Sequence, residues 1–532
     1  MNLSRPISLA HALTVCLLCV LAVPAGLFAA NLTPAEERGR QLYEKGTSPS
    51  GRPVVAYFGK DLLEVPGESA TCTSCHGFDG LGRSESGVNP LRITWRSLMK
   101  SYGHIHPNGF EHGPFNENNL KSYLLDGIYP GGRQGDPSMP VYELSSEDLG
   151  DLVAYLKRLD GYLDPGISDS EITIGTLQPT DGPLVESGDV LIKTIAALFS
   201  DINAQGGIYG RRLKLVSGDL AGKNGAVRSS DGADSPVFAL LSPLTPGREL
   251  EVWKRMESDR IPLIAPLAPL IPQGQDVVRY RFAVSAGMRE QALALTRHAI
   301  RSGGNADGGV SIIYPRRDGM EELARELAEL FRTAGWVNAE AVGYSGDKGI
   351  DSLLLTAVRD RRAGVLLYLG GESDAAPLLE LLGAEGERTR LYMTAAAIGR
   401  HEDRIPSSLS GRLRLSLPLV PSDLKEWARN RFRSLAERHH LPPDRQALQL
   451  NAASATLVLV EGLRRAGRNL TREGLVEALE GLFEFDSGLG PQITFGKNRR
   501  NGVLGAHLME FVRTPGGRGE LRPLGWVSAV GP

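Results

Sequence analysis

Two segments in the first third of the chain are predicted to be helices, and the second of them places apolar residues three or four positions apart, the spacing of a helix that buries one face. The first covers residues 34–45, where Thr33 can cap the helix start and Gly46 can end the helix. The second covers residues 145–159. Two shorter apolar runs, at residues 54–58 and 62–65, are expected to pair as the strands of a hairpin. The pattern therefore predicts a small, mainly helical domain in residues 31–160.

From residue 171 the pattern changes to short apolar runs, typical of buried strands, that alternate with amphipathic helices. The expected strands lie at residues 171–177, 212–216, 237–241, 262–265, 309–314 and 363–369. Such alternation produces parallel sheets with helices on both faces, and ligands then bind beyond the carboxyl ends of the strands. We expect an α/β domain over residues 171–532, joined to the first domain by a turn-forming linker at residues 161–170.

Residues 1–30 have the pattern of a secretory signal peptide. Arg5 precedes an apolar run at residues 12–23, which has the length of a signal core and is shorter than the roughly 20 residues that cross a bilayer. We therefore expect cleavage after this segment, export to the periplasm and no transmembrane anchor in the mature chain. Two of the four cysteines lie in the segment, which leaves Cys72 and Cys75 in the exported protein.

Length and charge narrow the classes of function. A chain of 532 residues is too long to form a single hydrophobic core of ordinary size, so two or three domains are expected. The formal net charge is −3 with 23% charged residues, and no basic stripe or acidic tail is present. This balance argues against nucleic acid or a membrane surface as the partner. A hydrophobic content of 41% is typical of a soluble globular protein.

The chemistry is concentrated in the stretch Cys72 to His76, with the sequence CTSCH. Two thiols three positions apart can form two thioethers to a haem, and the histidine after the second thiol can bind the iron. A zinc site would need a second pair of ligands at matching spacing, and no cysteine follows Cys75. A thioredoxin-like pair would need a βαβ setting, whereas the glycines soon after the motif predict a loop. We interpret the motif as the attachment site of one covalent haem c.

The first domain resembles the class I cytochromes c, which implies an all-α fold. In that family a glycine and an aromatic residue of the first helix cross a leucine and an aromatic residue of the last helix. The matching residues here are Gly39, Tyr43, Leu152 and Tyr155. The resemblance implies a second axial ligand in the loop before the last helix, where Met139 lies in a Gly/Pro-rich segment. It also implies that a proline carbonyl accepts a hydrogen bond from the iron-bound His76, and Pro90 is the matching residue.

Other side chains of this domain are alternative candidates for the second iron ligand. Met99 falls in a segment that the pattern predicts to be helical, and we expect it in the core. His104, His106 and His112 have a spacing that suits a metal site or a bis-histidine haem. They stay as the alternative ligand set.

The larger domain resembles the periplasmic binding proteins of the branched-chain amino acid (Leu/Ile/Val-binding) type. The opening motifs of that family match at residues 174–183 and 202–211, and its closing motifs match at residues 485–491 and 493–496. The resemblance implies a two-lobed α/β fold with parallel sheets flanked by helices. It also implies three chain crossings between the lobes and closure over a small-molecule ligand by hinge motion.

By the same resemblance, the ligand cleft lies at the carboxyl ends of the strands. The expected cleft residues are Thr180, Asp181, Ser242, Thr245, Ala265, Tyr314, Asp318, Gly371, Glu372 and Thr394. Hydroxyls that the family offers to an amino acid are missing at Ala265 and after it, and the family's acidic residue is replaced near Thr394. The charges of a buried α-amino acid would then lack partners, so we expect a small, weakly polar organic ligand. A helix is expected to begin at Thr245, with its free amides available to an anion.

These features favour an exported c-type cytochrome with a small-molecule-binding module, acting in periplasmic electron transfer or ligand-coupled redox sensing. With both axial positions of the iron filled, the haem domain is expected to pass electrons to a periplasmic redox partner and not to act as an enzyme. The alternative is the substrate-binding component of an ABC-type transport system, with a permease as partner and an amino-acid-like or other small organic solute as cargo. A third candidate, an oxidoreductase, lacks any flavin, quinone or nucleotide motif to support it.

Overall fold

The structure is a computed structural model in which the chain divides into two compact units, residues 1–163 and 164–532. It describes residues 32–82, 90–106, 109–159, 163–221, 225–267, 278–303, 309–317, 319–336, 338–345, 350, 363–384, 389–399, 405–513, 517 and 519–531. The expected signal segment and the expected cleft residue Asp318 lie outside the described residues. None of the helices in the described ranges combines the length and hydropathy of a membrane span.

The first unit combines helices with small antiparallel sheets. Its helices are α1 (Pro34–Lys45), α2 (Cys72–His76), α3 (Trp95–Leu98), α4 (Glu117–Asp126) and α5 (Ser146–Arg158). Its strands are β1 (Val55–Phe58), β2 (Leu63–Pro66), β3 (His104–Ile105), β4 (Glu111–His112) and β5 (Val141–Glu143). Both predicted helices are confirmed. A capping box between Thr33 and Glu36 starts α1 and a left-handed Gly46 ends it, while Ser145 caps α5.

Helices α1 and α5 cross with their backbones in direct contact at Gly39. A Cβ atom on Gly39 would lie 2.0 Å from the carbonyl oxygen of Asp151, so only glycine fits. Beside this point the rings of Tyr43 and Tyr155 pack with centroids 5.4 Å apart. The guanidinium of Arg38 closes the crossing with hydrogen bonds of 2.6 and 2.8 Å to the Asp151 carboxylate. The predicted crossing of the first and last helices is confirmed.

The predicted hairpin is confirmed as part of a larger sheet with the order β2-β1-β5. Ala56 of β1 lies opposite Tyr142 of β5, and both pack with Ala70 in a buried cluster. Met139 packs against the same cluster. Since β5 follows Met139 and precedes α5, this sheet connects the residues before α2 with the loop that carries Met139.

The second unit begins with an α/β lobe whose sheet has the order β12-β11-β10-β6-β7-β8-β9. Its strands are β6 (Glu171–Leu177), β7 (Arg212–Ala221), β8 (Ala226–Arg228), β9 (Asp234–Ser235), β10 (Ala239–Leu241), β11 (Leu263–Ile264) and β12 (Arg281–Phe282). The helices that follow β6 and β10 are α6 (Val185–Ala204) and α7 (Glu249–Ser258). The neighbouring strands β12, β11, β10, β6 and β7 are parallel, as predicted. Strands β8 and β9 extend the sheet in antiparallel orientation.

The second lobe has a sheet with the order β14-β13-β15-β16-β17-β18-β19, parallel as far as β17. Its strands are β13 (Val310–Pro315), β14 (Ala339–Tyr344), β15 (Val365–Tyr368), β16 (Arg390–Thr394), β17 (Leu413–Leu417), β18 (Gly505–Arg513) and β19 (Gly519–Ser528). The helices α8 (Met288–Arg301), α9 (Met320–Thr333) and α10 (Glu372–Ala384) belong to this lobe.

The chain passes between the lobes three times, as the resemblance implies. It enters the second lobe after β12 and leaves it after β17. Three helices then follow, namely α11 (Glu426–Arg438), α12 (Gln446–Ala466) and α13 (Arg472–Glu480). Helices α11 and α12 pack on α6 of the first lobe, and α13 packs on α12. The chain then returns to the second lobe as β18 and β19.

Residues 164–170, part of the expected linker, are fixed to the first lobe. The buried guanidinium of Arg472 donates hydrogen bonds to the carbonyls of Val237 at 2.7 Å and Phe238 at 3.2 Å. It also donates to the Pro165 carbonyl at 3.4 Å, and the Arg472 amide donates to the Asp164 carboxylate at 2.6 Å. The described start of the second unit is therefore held by a buried cation.

We expect Gly39→Ala to destabilise the first unit, because the added Cβ would overlap the Asp151 carbonyl and force α1 and α5 apart. Overpacking of this kind costs about 1–3 kcal/mol. The matched control is Gly150→Ala on α5, where nothing lies within 4 Å of the added Cβ. Alanine should stabilise that helix by about 0.5–1 kcal/mol. Hydrogen exchange of α1 and α5 peptides measures both effects, and equal protection in the two variants would contradict the close crossing.

Candidate functional site

The first unit encloses a cavity of about 500 Å³, within the range of cofactor and ligand sites. Its wall includes Cys72, Cys75, His76, Leu91, His106 and Met139. Leu152 and Leu156 of α5 supply part of the apolar wall. The structure thus brings the predicted attachment motif and the predicted second ligand to one cavity.

The motif itself forms one helical turn, α2, which corrects the expectation of a loop. Two buried tyrosine hydroxyls hold the backbone on either side of this turn. Tyr142 donates to the carbonyl of Ala70 at 2.8 Å, and Tyr43 donates to the carbonyl of Gly77 at 2.6 Å. The glycines that suggested a loop follow the turn, whereas hydrogen bonds from distant tyrosines fix the turn in place.

The ring of His76 is oriented by the carbonyl of Leu91, which lies 2.9 Å from Nδ1. The prediction of Pro90 for this role is wrong by one residue. The Pro90 carbonyl instead packs on Gly82, where a Cβ atom would lie 2.3 Å from its oxygen. With Nδ1 engaged, Nε2 is the nitrogen that can bind a metal. Burial lowers the pKa of His76, which favours the neutral form that coordinates iron.

Cys72 lies in an apolar setting next to Tyr142. Burial raises the pKa of the Cys72 thiol to about 12, so the thiol is protonated at neutral pH. The Tyr142 hydroxyl lies within hydrogen-bond reach of this thiol, and burial raises the pKa of Tyr142 as well. Both groups are neutral, which suits a pocket for an apolar macrocycle. Sequence reasoning did not single out Tyr142, because one aromatic residue in a three-residue strand has no periodic signal.

Met139 ends a tight turn at the cavity wall. Its amide donates to the carbonyl of Asp136 at 3.0 Å, and the Ser138 amide donates to the Asp136 carboxylate at 2.9 Å. That amide lowers the pKa of Asp136, so the carboxylate stays charged and keeps the turn closed. The Pro137 carbonyl accepts from the Gly59 amide at 3.1 Å, which ties the turn to the hairpin. Met139 is half-buried between the cavity and the small sheet.

The three histidines of the alternative ligand set lie together on the β3–β4 hairpin. The ring of His112 stacks on His104 with centroids 5.0 Å apart and lies 5.2 Å from the ring of His106. His104 Nε2 lies 3.3 Å from the Leu98 carbonyl, and His112 Nδ1 lies 2.7 Å from the Gly113 carbonyl. Across the described residues, no group of three or more His, Cys, Asp or Glu side chains could hold a metal ion. Met99 packs against the core, as predicted.

The expected cleft residues of the second unit that the structure describes lie at or just beyond the carboxyl ends of parallel strands. Thr180 and Asp181 follow β6 and are exposed. Ser242 and Thr245 follow β10, Ala265 follows β11, Tyr314 lies near the end of β13, Gly371 and Glu372 follow β15, and Thr394 ends β16. Both lobes therefore present predicted positions at the edges where α/β folds bind ligands.

Two of these positions have strained backbones. Ser242 has φ of 47° and Ala265 has φ of 53°, a left-handed conformation that residues with a Cβ atom rarely adopt. Such strain costs about 1–3 kcal/mol and is typical of ligand sites. Within the described residues, the fully buried Ser242 Oγ and the Gln178 Oε1 lack hydrogen-bond partners. Sequence analysis did not identify Gln178, which directly follows β6.

The helix expected at Thr245 begins later. The first residue of α7 is Glu249, and no side chain caps its start. Gly247 adopts a left-handed conformation with φ of 78°, which interrupts the helical turn begun at Thr245. Thr245 accepts a backbone hydrogen bond from Arg248 at 2.9 Å instead. The predicted anion site at this helix start is therefore not formed by Thr245.

A family model described as periplasmic binding protein matches residues 171–518, more than half of the chain. The chain belongs to the periplasmic binding protein family. A second model, described as cytochrome c, matches residues 59–160. The expectation of a cytochrome c domain followed by a two-lobed binding protein is confirmed.

Curated relatives match the binding-protein domain. Leu/Ile/Val-binding protein homolog 7 of Brucella abortus is 22% identical over 240 residues, which cover 44% of this chain and 59% of the relative. Leu/Ile/Val-binding protein BraC3 of Rhizobium johnstonii is 22% identical over 359 residues, which cover 62% of this chain and 89% of the relative. The chain thus spans about three fifths of the length of the Brucella relative.

Solved structures share the fold. A type 1 periplasmic binding protein from Bordetella pertussis superposes with a TM-score of 0.53 at 17% identity, over 67% of this chain and 100% of that protein. A fatty acid ABC transporter substrate-binding protein from Thermomonospora curvata superposes with a TM-score of 0.53 at 16% identity, over 69% of this chain and 94% of that protein. At these identities the likeness shows the fold alone.

The cytochrome c domain implies haem c, and the cavity fits that group. Its wall is mainly aliphatic and aromatic, as a macrocycle requires, and it carries the paired thiols and the neutral imidazole of the Cys72–His76 turn. The cavity-lining residue His106 has a buried Nε2 that lacks a partner among the described residues, which a bound group would satisfy.

We expect Tyr142→Phe to loosen the α2 turn, because it leaves the buried Ala70 carbonyl without its hydrogen bond. An unsatisfied buried group of this kind costs about 1–3 kcal/mol. The matched control is Tyr57→Phe in the adjacent strand, whose exposed hydroxyl lies 3.3 Å from Glu143. Hydrogen exchange of the peptide that contains α2 measures the effect. A turn equally protected in both variants would show that Tyr142 does not hold it.

Proposed function

We propose that this protein is an exported c-type cytochrome with a small-molecule-binding module, acting in periplasmic electron transfer or in redox sensing coupled to ligand binding. The observation that carries the proposal is the cavity whose lining includes both the Cys72–His76 turn and Met139. The proposal also rests on the larger unit, which belongs to a ligand-binding family.

In this proposal Cys72 and Cys75 would hold one haem through thioethers, and His76 and Met139 would bind its iron. Bound haem supplies one-electron exchange between ferric and ferrous iron. The Leu91 carbonyl keeps the proton of His76 on Nδ1 and fixes the ring. Apolar side chains around the cavity exclude water, which raises the potential at which iron is reduced. With His76 and Met139 both holding the iron, this unit would carry electrons.

The second unit is proposed to bind a small, weakly polar organic molecule between its lobes. Ala265 offers no hydroxyl, and Thr394 is followed by three alanines, so an α-amino acid would find few partners there. Ser242 Oγ and Gln178 Oε1 are the buried polar atoms that would meet the ligand's polar group. A ligand with one hydroxyl or carboxyl end and an apolar body fits this set.

The alternative function is the substrate-binding component of an ABC-type transport system, delivering cargo to a permease. The names of the relatives favour it, since two are Leu/Ile/Val-binding proteins and one structural neighbour is a fatty acid ABC transporter substrate-binding protein. In that case the haem domain would serve as an accessory unit. Measurement of the reduction potential with bound ligand separates the two candidates.

We expect the purified exported protein to have the mass of one covalent haem and a ferric thioether-to-iron charge-transfer band. Met139→Ala should remove that band because it removes the sulfur ligand. Met99→Ala, which removes a packed thioether from the same unit, is the matched control and should keep the band. Absorption spectroscopy in the near infrared distinguishes them. A band that persists in Met139→Ala would contradict the axial assignment.

A ligand that binds the second unit should stabilise that unit and shift the haem potential. Saturation at about 100 times Kd stabilises a fold by about 2.7 kcal/mol. A panel of small acids, alcohols, fatty acids and amino acids tests this by thermal unfolding together with redox titration. We expect a weakly polar acid or alcohol to bind. A stabilising ligand that leaves the potential unchanged would remove the redox-coupled proposal and favour transport.

Ser242→Ala should weaken binding of that ligand roughly two- to thirteenfold, because one hydrogen bond contributes about 0.5–1.5 kcal/mol. Ser235→Ala, on the edge strand β9 of the same sheet, is the matched control and should bind normally. Calorimetric titration measures both affinities. Equal affinities would exclude Ser242 as a ligand contact.

A further inference from the structure

The cavity wall carries an imidazole that the proposed axial pair does not use. His106 begins the turn between β3 and β4, where its amide donates to the Phe110 carbonyl at 2.7 Å and its carbonyl accepts from the Gly109 amide at 2.8 Å. The residue lines the same cavity as His76 and Met139. Its Nε2 is buried and has no hydrogen-bond partner among the described residues.

Neighbouring rings hold this imidazole in place. The centroid of the His106 ring lies 5.1 Å from Phe110, 5.2 Å from His112 and 5.2 Å from Tyr129. An unpaired buried nitrogen in such a rigid setting is costly unless a partner satisfies it. Burial also lowers the pKa of His106, so the ring is neutral and its free nitrogen can present a lone pair.

The other two histidines are less suitable as ligands. His104 lines the cavity, but its Nε2 is already engaged by the Leu98 carbonyl at 3.3 Å. His112 has an Nε2 that lacks a partner within the described part of the chain, but it is not one of the cavity-lining residues. Of the three, His106 combines a position on the wall with a nitrogen that no described residue engages.

We propose that His106 is a reserve axial ligand, whose Nε2 binds the haem iron when Met139 leaves it. The inference rests on the proposed haem site. In the exchange one iron–sulfur bond breaks and one iron–nitrogen bond forms, while the imidazole proton stays on Nδ1. No electron is gained or lost. Because a Met/His pair raises the haem potential, replacement of the thioether by imidazole lowers it. The unit would then have two six-coordinate states of different potential.

The test compares full-length holoprotein variants by absorption and electron paramagnetic resonance spectra and by redox titration. Met139→Ala is expected to stay six-coordinate and low-spin, with bis-histidine signals and a lower potential. Adding His106→Phe, which keeps the ring packing, or His106→Gln, which keeps a polar side chain, should convert the iron to high-spin. Either double variant suffices if the other does not mature. Met139→Ala with His104→Phe is the matched control and should remain low-spin.

A high-spin spectrum in Met139→Ala alone would overturn this inference and leave the proposed Met139 ligation intact. A low-spin spectrum that survives both His106 substitutions would assign the reserve ligand elsewhere and overturn it too. A high-spin spectrum in the control, Met139→Ala with His104→Phe, would also overturn the inference. It would show that low-spin iron depends on the three histidines together and not on His106 alone. A thioether band that persists in Met139→Ala would overturn both the axial pair and the exchange.

Discussion

Two hydrogen bonds from buried tyrosine hydroxyls determine the arrangement of the first unit. One joins Tyr43 of α1 to the Gly77 carbonyl, and the other joins Tyr142 of β5 to the Ala70 carbonyl. Together they hold the Cys72–His76 turn at both ends. Because Tyr43 lies at the crossing of α1 and α5, and Tyr142 lies three residues after Met139, the same bonds relate the turn to the helical core and to the Met139 loop. The shape of the cavity therefore depends on these two hydrogen bonds.

Sequence patterns predicted most of this unit, because local chemistry encodes its elements. Thr33 and Gly46 bound α1 through capping, and the apolar spacing of α5 reflects the face that it buries. The crossing of Gly39 and Tyr43 with Leu152 and Tyr155 was predicted from a family pattern and not from periodicity, and the close approach of Gly39 to Asp151 came only from the structure. The Pro90 assignment was wrong by one residue, because the carbonyl that reaches His76 is set by the path of the chain between them, which residue order alone does not specify.

In the second unit, too, sequence patterns predicted some features and missed others. Its parallel strands follow from the alternation of apolar runs and helices, whereas the three crossings between the lobes were implied by the resemblance to the binding-protein family. The predicted start of α7 at Thr245 was wrong, because the left-handed Gly247 interrupts the turn there. The strain at Ser242 and Ala265 could not be predicted, since it arises from how neighbouring strands end together in space. The same holds for the atoms of Ser242 and Gln178 that lack a partner among the residues that the structure describes.

One chain holds a cytochrome c domain and a periplasmic-binding-protein domain. The central proposal is that His76 and Met139 bind haem iron in the first unit. X-ray absorption spectroscopy at the iron edge of the purified protein tests this most directly. We expect one sulfur scatterer and five nitrogen scatterers around the resting iron. A first shell of nitrogen alone, or an open coordination position, would contradict it.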